Sequence, residues 1–393
     1  MSNSTVALSR EQIVYAVEET TAGTLVFPSA DTEAILCAGY PTMTQGINKT
    51  DSEEVRNTLD KIDRFEGKRP AADVSIPFYL RPSGTLGTAP MGSIFFESLM
   101  GLKTVNTSTS VVYSQDTSKK TFSVWCKQGF ELYFVGGVVA EQLALSLQNT
   151  GAVMLNFTCR GMNLGRAGSA TLATGITGAS ITSVVLGSGE AKRFSVGARI
   201  YNKTKNVHNT GVGYTVSAVD VDTNTLTVTA IDGSGTAWEI GDVIEGYLPT
   251  PSAFVGTPVE SKDIAVSFDG GSSTAKPTSY SLNIGSPVMF FEDEITTTRY
   301  PDEYLENVRD INGSFTIHKR KADTEFKYDA REGVTKDLRL TLGASSGSIL
   351  RIDMDYCDFD FPTDNVNAPA VDMSINFVAL GSSGEDSCTL TFI

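Results

Sequence analysis

The closing segment of this chain repeats a piece of its middle. Val153-Met-Leu-Asn-Phe-Thr-Cys-Arg-Gly161 is echoed by Met373-Ser-Ile-Asn-Phe-Val-Ala-Leu-Gly381, with the same Asn-Phe and the same closing Gly. Ala72-Asp-Val-Ser-Ile76 is echoed, in the same order, by Gly313-Ser-Phe-Thr-Ile317. Spaced apolar residues lie upstream in both copies: Val55, Leu59 and Ile62, then Tyr304, Leu305 and Val308. The offset is 241 residues at the earlier block and 220 at the later one, so a second copy has loops 21 residues shorter. A chain that folds one unit twice can stand in for two subunits of a ring, because rings grow from head-to-tail contacts. The repeat therefore points to assembly.

A length of 393 residues suits two or three domains, each with its own core. The 36 Gly, the abundance of Ser and Thr and the scarcity of long helix-forming runs favour short strands joined by tight turns. The expected class is mainly β: two related β-sandwich lobes with short flanking helices, residues 1–166 and 253–393, around a small β-rich domain inserted at 167–252. The opening Met1–Arg10 has no basic start followed by an apolar core, and no stretch reaches the roughly 20 apolar residues of a membrane helix. Cys37, Cys126, Cys159, Cys357 and Cys388 are odd in number and widely spaced, which reads as reduced thiols of a cytoplasmic product.

Charge is distributed unevenly. Lys and Arg number 14 against 16 Asp and Glu over residues 1–166, 5 against 7 over 167–252, and 12 against 23 over 253–393. A net −15 argues against a surface that grips nucleic acid, since that grip comes largely from cations displacing counterions. It is compatible with a surface along which DNA passes without sticking.

Along the first lobe, Val55, Leu59 and Ile62 fall at helical spacing with Asp51 and Glu54 placed to cap, so a helix is expected over 51–63. A second is expected over Gly92–Gly101. Strands are expected at Thr121–Cys126, Phe130–Val135, Gln142–Gln148 and Val153–Cys159. The breaker-rich loop Arg81–Pro90, with Pro82, Gly84 and Leu86 between its ends, reads either as a mobile surface loop or as a segment reaching a neighbouring molecule. In the insert, Gly213–Val219 and Thr225–Ala230 alternate strictly around a turn at Asp220–Asn224, a hairpin. Phe194–Ile200 and Trp238–Tyr247 supply further strands, and Leu248-Pro-Thr-Pro251 is a stiff exit. The second lobe reads as strands Asp263–Phe268, Ser279–Ile284, Gly313–His318, Asp337–Leu342, Ile349–Asp355 and Met373–Val378, with a short helix over Tyr328–Glu332.

Enzyme motifs fail on context. Gly343-Ala-Ser-Ser-Gly347 matches G-x-S-x-G but falls between two expected strands, and His208 and His318, the two histidines, both precede it. Ser273-Thr-Ala-Lys276 matches S-x-x-K but runs straight into Pro277. Asp220, Asp222 and Asn224 begin like a calcium loop yet lack its Gly and distal Glu. No zinc spacing and no phosphate-binding Gly loop is present, so neither catalytic residues nor a cofactor or metal is expected. The acidic run Asp353-Met-Asp-Tyr-Cys-Asp-Phe-Asp360 places Asp353 and Asp355 on one strand face, and a shift of phase lets Asp358 and Asp360 point together. A solvated face, a cation site and a channel lining are the three readings of these four carboxylates.

The ordered pieces resemble the major tail tube proteins of tailed bacteriophages. Glu11-Gln-Ile-Val-Tyr-Ala with Glu18–Thr24 looks like that family's opening. Pro251–Phe254, Ser279-Tyr-Ser-Leu-Asn-Ile-Gly285, Asn312-Gly-Ser-Phe-Thr-Ile317 and Val371-Asp-Met-Ser-Ile-Asn-Phe377 follow in its order. The resemblance covers both lobes and not the insert. It implies lobes whose extended sheets join into a barrel around a channel, rings of three two-lobed chains with pseudo-sixfold symmetry, and a stacked tube that conducts DNA into the host. Long non-contractile tails fit best. The implied partners are the protein itself, a tape measure protein, tail tip and tail terminator proteins, and DNA in transit. The implied location is the virion tail, after synthesis in the bacterial cytoplasm, with no membrane insertion. Asp353, Asp355, Asp358 and Asp360 are then lumen candidates, Arg81–Pro90 an inter-ring loop, and the insert an outward decoration. The rival is a β-rich adhesin or glycan-binding component of the same virion, with Trp238, Tyr247 and Tyr214 either as stacking platforms or as the insert's core. An enzyme using Ser345 is third.

Overall fold

The computed structural model describes residues 11–393 except 30–33, 56, 58–59, 149, 210, 234, 252–253, 255, 269–272, 296–297, 322–324 and 368. The first part of the chain forms β1 (Gln12–Glu18), β2 (Ala34–Ile35), β3 (Thr42–Thr44), β4 (Lys49–Asp51), β5 (Arg64–Glu66), β6 (Ala72–Tyr79) and helix α1 (Ser93–Met100). It continues with β7 (Gly101–Asn106), β8 (Ser110–Gln115), β9 (Phe122–Gln128), β10 (Glu131–Gln148), β11 (Met154–Gly161) and β12 (Asn163–Ala167). A middle module follows: β13 (Ser169–Thr171), β14 (Ile181–Val185), β15 (Arg199–Asn202), β16 (Tyr214–Asp220), β17 (Thr225–Ile231) and β18 (Val243–Gly246). The last part has β19 (Ile264–Phe268), β20 (Ser273–Ala275), β21 (Pro277–Gly285), β22 (Val288–Phe290), β23 (Tyr304–Glu306), β24 (Asp310–His318) and α2 (Glu325–Glu332). It ends with β25 (Lys336–Leu342), β26 (Leu350–Phe359), β27 (Thr363–Asn367), β28 (Ala370–Ala379) and β29 (Thr389–Phe392). The chain is mainly β, as its composition implies.

The last part repeats the pairing of the first. β19 pairs with β25 as β1 pairs with β9, β24 with β28 as β6 with β11, and β21 borders β24 as β3 borders β6. A two-stranded hairpin, β4–β5 or β22–β23, stands before β6 or β24, and a helix stands after it. Among the described residues the β7–β8 hairpin has no counterpart. The echoed blocks are indeed the paired strands, yet their sequence alignment is inconsistent in register. Ile76 lies opposite Phe157, whereas Ile317 lies opposite Met373 and not Phe377, four residues away. An even slip keeps every side chain on its own face, so the fold tolerates it.

Two expectations are corrected. Among the described residues of 51–63 there is no helix: Asp51 closes β4, Arg64 opens β5, and Val55 and Ile62 are exposed, so the spaced apolar residues have no core to face. Leu59 lies outside the described residues. The strands expected at 130–135 and 142–148 are one 18-residue strand, β10. It bends at Gly136-Gly137, where the pairing with β9 shifts register and Gly137 takes φ 62°. The freed Gly137 N–H donates to Glu19 Oε1 at 2.9 Å, and that buried carboxylate also accepts from Ser123 Oγ (2.6 Å) and, through Oε2, from Gly23 N (2.9 Å). Before the bend β10 pairs with β9 and β12; after it, with β11 and β21. One strand thus serves two sheets.

Helix α1 begins and ends at glycines with positive φ, Gly92 and Gly101, and buries Phe95, Phe96 and Leu99. Those rings meet Phe78, Phe122 and Phe157 in an aromatic cluster. Phe326 of α2 does the same against Phe268, Phe315 and Phe359. Both clusters belong to one continuous core enclosed by the barrel.

The halves are joined by β10 against β21, by β8 against β29, and by a buried lysine. Lys119 Nζ donates to Ala140 O at 3.1 Å and to Ser286 O, and its backbone N–H donates to Glu306 Oε1 at 3.3 Å. Burial pulls its ammonium down to about 8; Glu306 and Glu141 oppose that shift and Arg309 adds to it.

The module's strand order is β13-β18-β15-β16-β17-β14. Its two ends meet at the Leu172–Leu186 bridge, with Ala173 N donating to Val185 O and Gly187 N to Thr171 O, both at 2.8 Å, so the small sheet closes on itself. The β16–β17 hairpin stands where the alternation placed it. Strand structure begins later than expected at Arg199 and Val243, because turns at Gly197 (φ 88°) and Gly241 (φ 92°) occupy the segments before them. The module is not independent of the body. Its Leu172, Ile200, Tyr214, Trp238 and Ile244 share one cluster with Tyr15, Trp125, Leu132 and Phe134 of β1, β9 and β10.

Candidate functional site

A continuous polar surface is formed by one face of a sheet to which both halves contribute. Its order is β3-β6-β11-β10-β21-β24-β28-β27, antiparallel throughout. Alternation sends Val74, Ile76 and Phe78 of β6 or Tyr280, Leu282 and Ile284 of β21 into the core, and their neighbours outward.

The outward residues line up in cross-strand rows. One row runs Asn156, Ala144, Asn283, Asn312, Val378 and Asp358. The next runs Met154, Ser146, Ser281, Ser314 and Asn376. Neither contains Lys or Arg. Neighbouring side chains bond each other: Ser281 Oγ and Ser314 Oγ are 2.8 Å apart, Gln142 Nε2 donates to Asn283 Oδ1 at 2.6 Å, and Ser75 Oγ donates to Asn156 Oδ1 at 3.1 Å. A shallow trough of about 550 Å³ runs across these rows. Arg160, on the same face of β11, is neutralised by Glu292 at 3.0 Å and Asp73 at 3.7 Å. His318 at the end of β24 meets Asp372 Oδ1 at 2.6 Å.

The four expected carboxylates are divided between two places. A bulge after Met354 shifts the register of β26 against β25, and β26 leaves β29 and pairs with β28 from Cys357 on, which is the change of phase foreseen in the acidic run. Asp358 ends the first row, and Asp360 lines the trough, with its N–H bonded to Asn376 O at 3.0 Å. Asp353 and Asp355 lie on the β25–β26–β29 part of the wall. Asp353 there is clamped between Arg339 Nε (2.5 Å) and Arg351 Nε (2.7 Å), so it presents no free charge.

The Arg81–Pro90 loop is tied to the second half. Gly84 N donates to Gly347 O at 3.0 Å and Arg81 Nη1 to Gly256 O at 2.9 Å. Pro82 and Pro90 are buried, and Gly84, Thr85, Leu86 and Thr88 are exposed. The sequence also offers no single motif for the Asn and Ser rows. Their signal was nevertheless present as alternation without charge: Ser279, Ser281 and Asn283; Asn312, Ser314 and Thr316; Ser374 and Asn376.

The motif matches resolve into local structure. Gly343–Gly347 is the turn of the β25–β26 hairpin, with φ 106° at Gly343 and 82° at Gly347. Ser273–Ala275 is strand β20. Asp220 Oδ1 accepts the N–H groups of Asp222 and Thr223 at 2.9 and 3.0 Å, bonds that, with its Thr223 hydroxyl contact, hold its carboxyl below the usual range. Among the described residues no three His, Cys, Asp or Glu side chains are grouped to hold a metal ion. Trp238 and Tyr214 are buried edge to face, 5.5 Å between centroids, and Tyr247 is half-buried against His208 and Phe27.

Comparison with protein-family models finds no match, and no curated protein matches the sequence.

Proposed function

We propose that this chain is the repeating structural subunit of a tubular assembly of the kind that major tail tube proteins of tailed phages build, and that the polar sheet face lines its bore. The observation that carries this reading is the cation-poor, hydrogen-bonded face, crossed by a shallow trough, assembled from both halves. A polymer of phosphates binds tightly where Lys and Arg displace its counterions, and slides where they are missing. Asn, Ser and Gln hold a water layer, and Asp358 and Asp360 at the edge of the trough repel phosphate. DNA in transit would meet few contacts that have to be broken.

The rest of the molecule fits this arrangement. The core lies between the polar face and the β1–β9–β10–β12 sheet, and the module covers the far side of that sheet, so a bore lined by the polar face leaves the module outside. The hairpins β4–β5 and β22–β23 are tied together, Arg69 N to Arg299 O at 2.9 Å and Lys68 Nζ to Phe291 O at 3.1 Å. They expose Phe65, Met289 and Leu305, a surface suited to stacking one ring on the next. Tape measure, tip and terminator proteins would then meet the assembly along its bore and at its ends. An adhesin built on stacking aromatics is disfavoured by the burial of Trp238 and Tyr214.

Negative-stain electron microscopy of the purified protein, with light scattering for subunit mass, tests the reading. Rings or tubes with a central lumen, built from trimers, are expected; a monomer that stays single at high concentration and binds glycans would overturn it.

A further inference from the structure

The junction of body and module holds a small pocket that the polar face does not use. Its volume is about 220 Å³, and it is lined by Phe130, Glu131 and Arg166 of the body and by Ser169 and Arg193 of the module. Local geometry places each of them. Gly129, at φ 61°, opens the two-residue turn between β9 and β10, so Phe130 completes the turn and Glu131 starts β10. Arg166 lies on β12 opposite Tyr133 of β10, Ser169 opens β13, and Arg193 closes the short helical turn Ala191–Arg193. Both arginines are exposed, and Phe130 is half-buried.

Main-chain oxygens fix the two guanidinium groups. Arg166 Nη2 donates to Lys192 O at 3.0 Å, and Arg193 Nη1 donates to Ser169 O at 2.6 Å. Arg193 also meets Glu190 Oε1 at 2.9 Å, while the other oxygen of Glu190 accepts the Thr171 N–H at 2.7 Å. Among the described residues no carboxylate pairs with Arg166. An arginine held by a carbonyl keeps its charge uncompensated and most of its five donors free, in the planar fork that suits a carboxylate. That is out of pattern in a chain with 46 Asp and Glu against 31 Lys and Arg. Glu131 is fixed as well, since the Tyr133 hydroxyl donates to its Oε2.

We propose that this pocket binds a small hydroxylated carboxylate of the uronic-acid kind. Arg166 and Arg193 take its carboxylate, Glu131 and Ser169 take hydroxyl groups, and Phe130 packs on the C–H face of the ring. Two features select this chemistry. The volume is below the usual range for a drug-sized ligand, which leaves room for one small ring. Glu131 would repel a phosphate dianion at short range, whereas a sugar hydroxyl can donate to it. The proposal goes beyond the tubular reading and does not depend on it, because ligand binding is read on whatever assembly the chain forms.

Isothermal titration of the full-length protein with sodium glucuronate, its methyl glycoside, glucose and inorganic phosphate tests the assignment. Glucuronate is expected to bind with a Kd of about 1 mM or tighter, and glucose and phosphate roughly tenfold more weakly or worse. Binding of the methyl glycoside alongside glucuronate assigns the pocket to a unit of a sugar chain; binding of glucuronate alone assigns it to the free acid. Arg166→Gln should weaken glucuronate by roughly tenfold or more. Glu131→Gln keeps an acceptor and removes the charge, so it should leave glucuronate within about threefold and strengthen phosphate. Circular dichroism should show both variants folded. Phosphate binding the parent as tightly as glucuronate would overturn the proposal, as would glucuronate affinity indifferent to Arg166→Gln or no binding of glucuronate at about 10 mM.

Discussion

The same sheet occurs twice in this molecule under opposite conditions. In the first half, β1, β9 and β10 are buried on both faces: Val14, Val124 and Cys126 face the barrel core, and Tyr15, Trp125, Leu132 and Phe134 face the module. In the second half, the equivalent strands bury one face through Val266, Leu338, Leu340 and Ile352, and turn Arg339, Thr341, Arg351 and Asp353 outward. A pattern that is apolar on both alternations belongs to a covered sheet, and a strict in-and-out alternation to one that meets water. The module is therefore built into the first half as a third layer. A tethered appendage would have left Trp125 and Phe134 exposed or replaced.

The largest test of that contrast is Trp125→Ala. It removes the ring packed on Phe134 at 4.9 Å and on Phe27 at 5.1 Å, together with the Nε1–H bond to Val26 O at 2.8 Å. A loss of about 3–5 kcal/mol is expected in urea melts, with the module's hydrogen-exchange protection falling alongside the body's. If the module keeps its protection while the body melts earlier, the two are not one layered unit.

The junction between halves gives the next effect. Lys119 has a folded value of about 8 against 10.5 for an exposed lysine. Between those values the unfolded chain binds more protons, so this group's destabilising contribution is full below pH 8 and fades as pH rises through the window. Lys119→Met removes it. The stability difference between the variant and the parent should therefore shift against the variant by about 3 kcal/mol from pH 7 to pH 10.5, read from paired urea melts. A pH-independent difference would mean that Lys119 is solvated.

Gly137→Ala is expected to cost about 1–3 kcal/mol, because φ 62° is strained for alanine and its Cβ would stand 2.5 Å from Met162 Sδ. The corresponding bend in β26 uses a bulge and no glycine, so the two halves should differ here. The smallest effect belongs to Arg339→Ala, on the uncovered sheet. Asp353 keeps Arg351, the site is partly solvated, and a change of about 1 kcal/mol or less is expected. A loss as large as that of Trp125→Ala would show the second sheet to be covered as well.

Much of the strand pattern was legible in the chain. Alternation located β16, β17, β24, β25 and β28, and the flanking glycines located α1, because these are properties of a few consecutive residues. The helix expected over 51–63 failed because Val55, Leu59 and Ile62 match a helical period in a segment where the described apolar residues have nothing to pack on. The continuity of β10 was missed because Gly136-Gly137 reads locally as a break, and its role as a bend depends on Glu19, more than a hundred residues away. The polar rows were visible only as fragments, since Asn156, Asn283, Asn312 and Val378 come from four separate strands.

The sequence by itself determined the β class, the repeat, the hairpin turn at Asp220–Asn224 and the acidic excess of residues 253–393. The tertiary structure alone decided which alternate positions form one face, which distant strands pair, and that the module shares a core with the first half. The physical reason is range. Side-chain alternation and turn geometry are set within a few residues, whereas pairing β10 with β21 or Trp125 with the module depends on which distant surfaces bury the most apolar area together.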